Sequence, residues 1–203
     1  MLPPSGDPWA AQAVTANAEN AGLAREGAAV FASCASCHLA DGGGRPDGAI
    51  PRLAGQSAAI LQAKLTKIRS GEVFLPVMAA FANSLAPGEV TAVATYLSLL
   101  SAPAHIGYGD GNALLVGERT YAESCAACHG AKGEGNPALE APKLCGQHAG
   151  YIVRRVAEVR ANNRGDANPG MAAIVGNLAE DQLAAVADYL SRGKCQPLPE
   201  KRP

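Results

Sequence analysis

Residues 34–42 read CASCHLADG and residues 125–133 read CAACHGAKG, so two cysteines, two spacers and a histidine are written twice, 91 positions apart. The register spreads outward from both copies. Upstream the offset is 90, pairing Gly27 with Gly117 and Phe31 with Tyr121; downstream, IPRLAGQ at 50–56 falls in line with APKLCGQ at 141–147 at offset 91. Pro51 and Pro142 each stand 17 residues after the first cysteine of their motif. At Met78 and Met171 the offset has become 93, and it holds for Leu85, Tyr96 and Leu97 against Leu178, Tyr189 and Leu190, within TAVATYLSLL and AAVADYLSRG. A repeat of this length, seen only twice, predicts two similar domains and not a solenoid.

Periodicity predicts an all-α fold, with no strand pattern. Each unit reads as a helix running into the C-x-x-C-H motif, then a Gly-rich loop (ADGGGRPDG or GAKGEGNP) and a middle helix (SAAILQAKLTKIRSG or AGYIVRRVAEVRAN). A methionine-bearing loop and a closing helix complete it. The closing helices open with Pro87 and Glu89, or with Glu180 and Asp181, which suit the positive end of a helix dipole. Ahead of the repeat, Asp7 and Pro8 start a further helix, and SAPAHIGYGDGN reads as the linker between the units. The expected organisation is an N-terminal helical extension at 1–24, domains at 25–101 and 117–192, a linker at 102–116 and a tail at 193–203.

Hydrophobic residues make up 48% of the 203, yet aromatics only 4%, with 23 Gly and 14 Pro. A core so poor in rings takes its bulk from Ala, Leu and Val, or from a large flat apolar cofactor. The net charge of −1 provides no footprint for nucleic acid or for an anionic membrane surface. No window approaches the length of a spanning helix, and MLPPSGDPW lacks the basic start and apolar run of a signal peptide. The chain is therefore read as an exported protein whose signal is already missing.

Two thiols three residues apart, followed at once by an imidazole, suit covalent attachment of haem c: the sulfurs add to the two vinyl groups, and the histidine is held beneath the iron. Cys34, Cys37 and His38 are expected to hold one haem, and Cys125, Cys128 and His129 the other. Random placement of these cysteines and histidines produces one such motif in roughly one chain in three hundred, and a matched pair far less often. A thioredoxin-like pair wants a βαβ context, and structural zinc needs no haem-sized apolar pocket.

The other axial ligand of each iron decides between electron transfer and catalysis. Besides Met1 the chain has only Met78 and Met171, 40 residues after His38 and 42 after His129. Methionine is a common gap-filler in cores, but matched positions in the two units point to both as axial ligands. His/Met ligation fills the coordination shell and favours single-electron transfer. Pro51 and Pro142 stand where a carbonyl can accept the Nδ1 proton of the histidine, or where a turn simply starts. Arg52 and Lys143 are candidates to neutralise a haem propionate, against the commoner fate of a solvated charge. His105 in the linker and His148 read as surface or structural residues. Cys145 and Cys195, where the first unit has Ala54 and Ala102, are expected either as a disulfide, as two free thiols, or with Cys145 as a thiolate on the second iron.

With its two C-x-x-C-H motifs, PRLAGQ and PKLCGQ, the matched methionines and the closing TYLSLL and DYLSRG helices, the chain resembles the dihaem cytochrome c4 family over about residues 25–192. The resemblance implies two tandem class I cytochrome c domains, periplasmic location, and haems close enough across the domain boundary to exchange electrons. It also implies a role carrying single electrons between a periplasmic donor dehydrogenase or respiratory complex and a terminal oxidase, without catalysis. The alternatives are a cytochrome c type enzyme such as a thiosulfate dehydrogenase or peroxidase, which Cys145 alone invites, or a bound redox subunit of a periplasmic dehydrogenase. Residues 25–101 carry 6 basic and 5 acidic side chains, and residues 117–192 carry 8 and 9. Neither half has a dominant sign, so partner docking is expected to rely on an apolar rim around an exposed haem edge.

Overall fold

The computed structural model describes residues 8–193 apart from 102 and 104, with residues 8–19 described by backbone alone. Asp7, Ala102 and Cys195, and with Cys195 its expected pairing to Cys145, lie outside the described residues. The first unit runs through α1 (Pro8–Phe31), α2 (Ala35–His38), α3 (Ala58–Arg69), α4 (Pro76–Ala82) and α5 (Pro87–Leu99). The second repeats this order as α6 (Leu114–Ser124), α7 (Ala126–His129), α8 (Ala149–Ala161), α9 (Pro169–Gly176) and α10 (Glu180–Arg192), with a 3₁₀ turn at Pro137–Leu139. Among the described residues there is no strand, only an isolated bridge between Asn136 and Ala141. The helix that starts at Pro8 does not stop before the repeat. It runs unbroken to Phe31, and a turn at 32–34 leads into the first motif, so the extension and the first helix of the first unit form one element.

In each unit the first and last helices cross at a glycine. A Cβ on Gly27 of α1 would stand 2.0 Å from the Ala92 carbonyl oxygen of α5, and one on Gly117 of α6 would stand 2.1 Å from that of Ala185 in α10. Any side chain there would drive the helices apart, which is why glycine recurs at the matched position. One turn further on, Phe31 packs on Tyr96 and Tyr121 on Tyr189, with ring centroids 5.7 and 5.9 Å apart. Both separations lie in the favourable range for tilted aromatic pairs.

The middle helices lie against this crossing. In α8, Ala149, Ile152, Val156 and Val159 are buried at three- and four-residue spacing, one apolar stripe facing α10. Burying each of the larger ones contributes about 1.5–3 kcal/mol. Neither closing helix has a hydroxyl cap. Instead the third helical residue reaches back, with Ala86 N donating to Glu89 at 2.7 Å and Ala179 N to Gln182 at 3.0 Å. That is the reciprocal half of a capping box.

The linker is tied down by the buried Asp188 of α10. Gly109 N and Gly111 N donate to its two carboxylate oxygens at 3.0 and 2.6 Å, and Arg192 Nε donates to it at 2.7 Å. No helix of the described residues is long and apolar enough to cross a membrane.

Candidate functional site

Each C-x-x-C-H motif folds as one helical turn. The backbone N–H of His38 donates to Cys34 O, and that of His129 to Cys125 O, both at 3.0 Å. The three-residue spacing therefore sets both thiols on one side of the turn, with the imidazole at its end. Cys34, Cys37, Cys125 and Cys128 are free thiols, and burial, reinforced by Cys128 beside it, pushes the Cys125 thiol up to about 11.

Both imidazoles are buried, His38 at 5% exposure and His129 at 7%. His38 Nδ1 lies 3.0 Å from Pro51 O, and His129 Nδ1 lies 2.9 Å from Pro142 O. A carbonyl only accepts, so Nδ1 carries the proton in both rings and Nε2 keeps its lone pair. Burial holds both rings below the ordinary histidine pKa, with the proline carbonyl pulling the other way, so the rings are neutral. Among the described residues neither Nε2 has a hydrogen-bond partner. A neutral imidazole oriented through Nδ1 with Nε2 available is the metal-ligating form.

The loop between motif and proline is held in place by glycines that no other residue could replace. Gly44 and Gly135 have φ of +72° and +84°, and a Cβ there would stand 2.5 Å from Pro51 O or 2.7 Å from Lys143 N. Their N–H groups donate to the carbonyls of His38 and His129 at 2.9 and 2.7 Å. The backbone thus folds tightly around the peptide that orients each histidine.

Met78 and Met171 were expected on loops, and the structure corrects this: each is the third residue of a short helix, α4 or α9. Pro76 and Pro169 occupy the first helical position, where φ is already set and no N–H is lost, and Asn168 Oδ1 accepts from Met171 N at 3.1 Å. Helices of seven and eight residues are too short to show a period. Arg160 then fixes the far end of α9, donating through Nε to Val175 O at 2.7 Å and through Nη2 to Leu178 O.

The donor set fits haem c. Half-buried apolar groups border it: Leu53, Leu65 and Leu100 share one cluster with Cys34, and Leu75 and Leu65 share another with Met78. In the second unit Leu144, Ala172 and Leu178 lie with Cys125 and Met171. A flat apolar ring carrying iron needs such walls, two thiols, an imidazole and a thioether, and each unit provides them. Among the described residues no group of three or more His, Cys, Asp or Glu side chains is placed to hold a metal ion.

Arg52 and Lys143, expected beside a haem propionate, take backbone partners. Arg52 is buried and donates through Nε to Ala54 O and through Nη1 to Gly146 O, both at 2.8 Å; Lys143 Nζ donates to Gly55 O at 2.5 Å. Two of these bonds cross from one unit to the other. His105 is exposed. His148 is fully buried, accepting at Nδ1 from Gly107 N at 3.0 Å and donating from Nε2 to Gly43 O at 2.8 Å. It joins the first unit, the linker and the second unit, which is a structural role. Cys145 is buried against Gly133 and Gly193.

Sequence reasoning aligned Gln56 with Gln147 but gave them no role. Each crosses to the backbone just after the other unit's proline, as developed below. The available signal was a polar residue repeated 22 positions after the first cysteine of each motif.

Two helical units, each with an attachment motif, an oriented neutral imidazole and a matched thioether, define a protein of two tandem cytochrome c domains. The sequence model of the family described as cytochrome c oxidase, cbb3-type, subunit III matches residues 22–97, and that of cytochrome c matches residues 115–194. The chain belongs to the cytochrome c4 family: it is 30% identical over 189 residues to cytochrome c4 of Pseudomonas aeruginosa, covering 87% of this chain and 92% of that one. The thiosulfate dehydrogenase electron acceptor of Thiomonas intermedia is 34% identical over 181 residues, 82% of this chain and 80% of that one. Among solved structures, reduced recombinant cytochrome c4 from Pseudomonas stutzeri superposes with a TM-score of 0.75 at 26% identity, over 84% of this chain and 98% of that one. The protein is accordingly a dihaem electron-transport cytochrome.

Proposed function

We propose that Cys34 and Cys37 bind one haem c through thioether bonds and Cys125 and Cys128 a second, with His38 and Met78 as axial ligands in the first unit and His129 and Met171 in the second. Haem c held this way supplies a one-electron couple between ferric and ferrous iron. The chain's own residues then orient and insulate it: the proline carbonyls fix each imidazole, the short helices present each thioether, and the apolar walls exclude water. With an imidazole and a thioether both held toward it, the iron of such a group would exchange single electrons and would offer no position for a substrate. The protein thus carries single electrons in the periplasm from a donor dehydrogenase or respiratory complex to an acceptor such as a terminal oxidase. The observation that carries this reading is the pair of buried histidines, each with Nδ1 on a proline carbonyl and Nε2 unpartnered beside two free thiols.

The test is haem content by alkaline pyridine spectrum together with the far-red absorption of the oxidised protein. Two haems per chain with the methionine-to-iron band is the expected result, and Met78→Ala and Met171→Ala should each remove about half of that band. A high-spin wild-type spectrum would overturn the ligand assignment. The relative from Thiomonas intermedia favours a second reading, in which the donor is a thiosulfate-oxidising enzyme and this chain its electron acceptor. Stopped-flow reduction by such an enzyme, compared with reduction by a quinol-oxidising complex, separates the two.

A further inference from the structure

The peptide group that orients each histidine has two ends, and the second belongs to the opposite unit. Pro51 O accepts from His38 Nδ1, and the N–H of the same peptide, on Arg52, donates to Gln147 Oε1 at 3.0 Å. In mirror fashion, Pro142 O accepts from His129 Nδ1 and the N–H of Lys143 donates to Gln56 Oε1 at 3.0 Å. Each glutamine also donates from Nε2 to the next carbonyl, Gln147 to Arg52 O at 2.9 Å and Gln56 to Lys143 O at 3.0 Å. Its Oε1 accepts a further N–H, from His148 or from Ser57, at 3.0 Å. Only this orientation of the amide satisfies all three partners, so Oε1 faces the peptide N–H in both cases.

We infer that Gln147 tunes the haem of the first unit and Gln56 the haem of the second, each as a positioning residue acting through the other unit's proline peptide. This rests on the proposed ligation by His38 and His129. An acceptor on a peptide N–H polarises that peptide and makes its carbonyl a stronger acceptor, because hydrogen bonds in a chain reinforce one another. A stronger acceptor draws the Nδ1 proton, makes the imidazole a more basic ligand, and favours ferric iron. His38 and His129 keep that proton throughout; the couple gains or loses one electron and nothing else. Because the relay is crossed, any change in how the units meet is felt by both metal sites.

The experiment is a redox titration resolving the two haems of the holoprotein, in wild type and in Gln147→Met, Gln147→Glu, Gln56→Met and Gln56→Glu. Removing the acceptor in Gln147→Met should raise the ferrous-to-ferric ratio of the first-unit haem about threefold at a fixed poise. That is an upward shift of ~30 mV for a one-electron couple. The second-unit haem should move less, and Gln56→Met should give the reverse pattern. The glutamate variants keep an acceptor and should shift the opposite-unit haem downward. In the ferrous protein the His38 Nδ1 proton resonance should move in the Gln147 variants and the His129 one in the Gln56 variants. Equal shifts of both haems, or a larger shift in the unit that carries the substitution, overturns the relay. A wild-type spectrum without methionine ligation would instead fault the axial assignment, while unchanged histidine proton resonances in spectrally intact variants would fault the relay alone.

Discussion

Gly117→Ala adds one methyl group at the crossing of α6 and α10, and the structure says what that methyl meets. It would stand 2.1 Å from Ala185 O, 2.6 Å from Ala185 C and 3.0 Å from Tyr189 Cβ. Two of the three are backbone atoms within a helix, so no side chain can swing away. Restoring ordinary contact requires the helices to separate by more than about 1 Å, which also loosens the Tyr121–Tyr189 pair behind them. Overpacking of this kind costs about 1–3 kcal/mol, and the rigid neighbours put this case at the upper end. Alanine's better helix propensity offsets about 1 kcal/mol. A net loss of about 2 kcal/mol should remain, lowering Tm by roughly 8–16 °C if the unit unfolds on its own and by about half that if both units unfold together. Gly88→Ala is the matched control, because a Cβ there meets nothing within 4 Å in the first turn of α5. Thermal unfolding of both holoprotein variants, followed by far-UV circular dichroism, checks the argument. If Gly117→Ala melts at or above the temperature of Gly88→Ala, the steric account of the repeated glycine is wrong.

Two further outcomes follow from buried polar groups. His148 has its pKa lowered by burial first and by Arg52, with the Gly43 carbonyl and Asp47 opposing. Its folded value therefore lies below the unfolded one of about 6.5. The unfolded chain binds the proton more tightly, so its contribution to stability is full above pH about 6.5 and is lost as pH falls through the folded value. Tm of the holoprotein should fall between pH 7 and pH 5, and His148→Gln should make that fall shallower; identical slopes would refute the assignment. Asp166, with a side chain 6% exposed, pairs with Lys64 and with Arg155 at 2.8 Å. Burial alone would raise its pKa, but the Lys64 hydrogen bond and the two cations bring it below the usual value. Asp166→Asn should cost about 1–3 kcal/mol by chemical denaturation, since it leaves Lys64 without its anion and Arg155 with Glu158 alone, 3.7 Å away.

The sequence by itself determined most of what repeats with a fixed spacing or a helical period, though not the short helices that carry Met78 and Met171 or the role of the repeated Gln56 and Gln147. The two C-x-x-C-H motifs, the paired Gly27 and Gly117, Phe31 and Tyr121, and the middle and closing helices were all legible, because a covalent motif has fixed spacing and an amphipathic helix has a period. For Pro51 and Pro142 the sequence left two readings open, a carbonyl acceptor or the start of a turn; in the structure each carbonyl stands within hydrogen-bond distance of Nδ1 of its histidine. Tertiary structure alone decided what joins residues far apart in the chain. Arg52 and Gln147 are 95 residues apart, and Gln56 and Lys143 are 87 apart; no periodicity relates a side chain to the backbone of the other copy. His148 has no histidine counterpart in the first unit, where Ser57 stands, so the repeat was silent about its burial between two loops and the linker. Register within one copy is set by hydrogen bonds a few residues long, whereas the meeting of two copies is set by which polar groups find partners once both have folded.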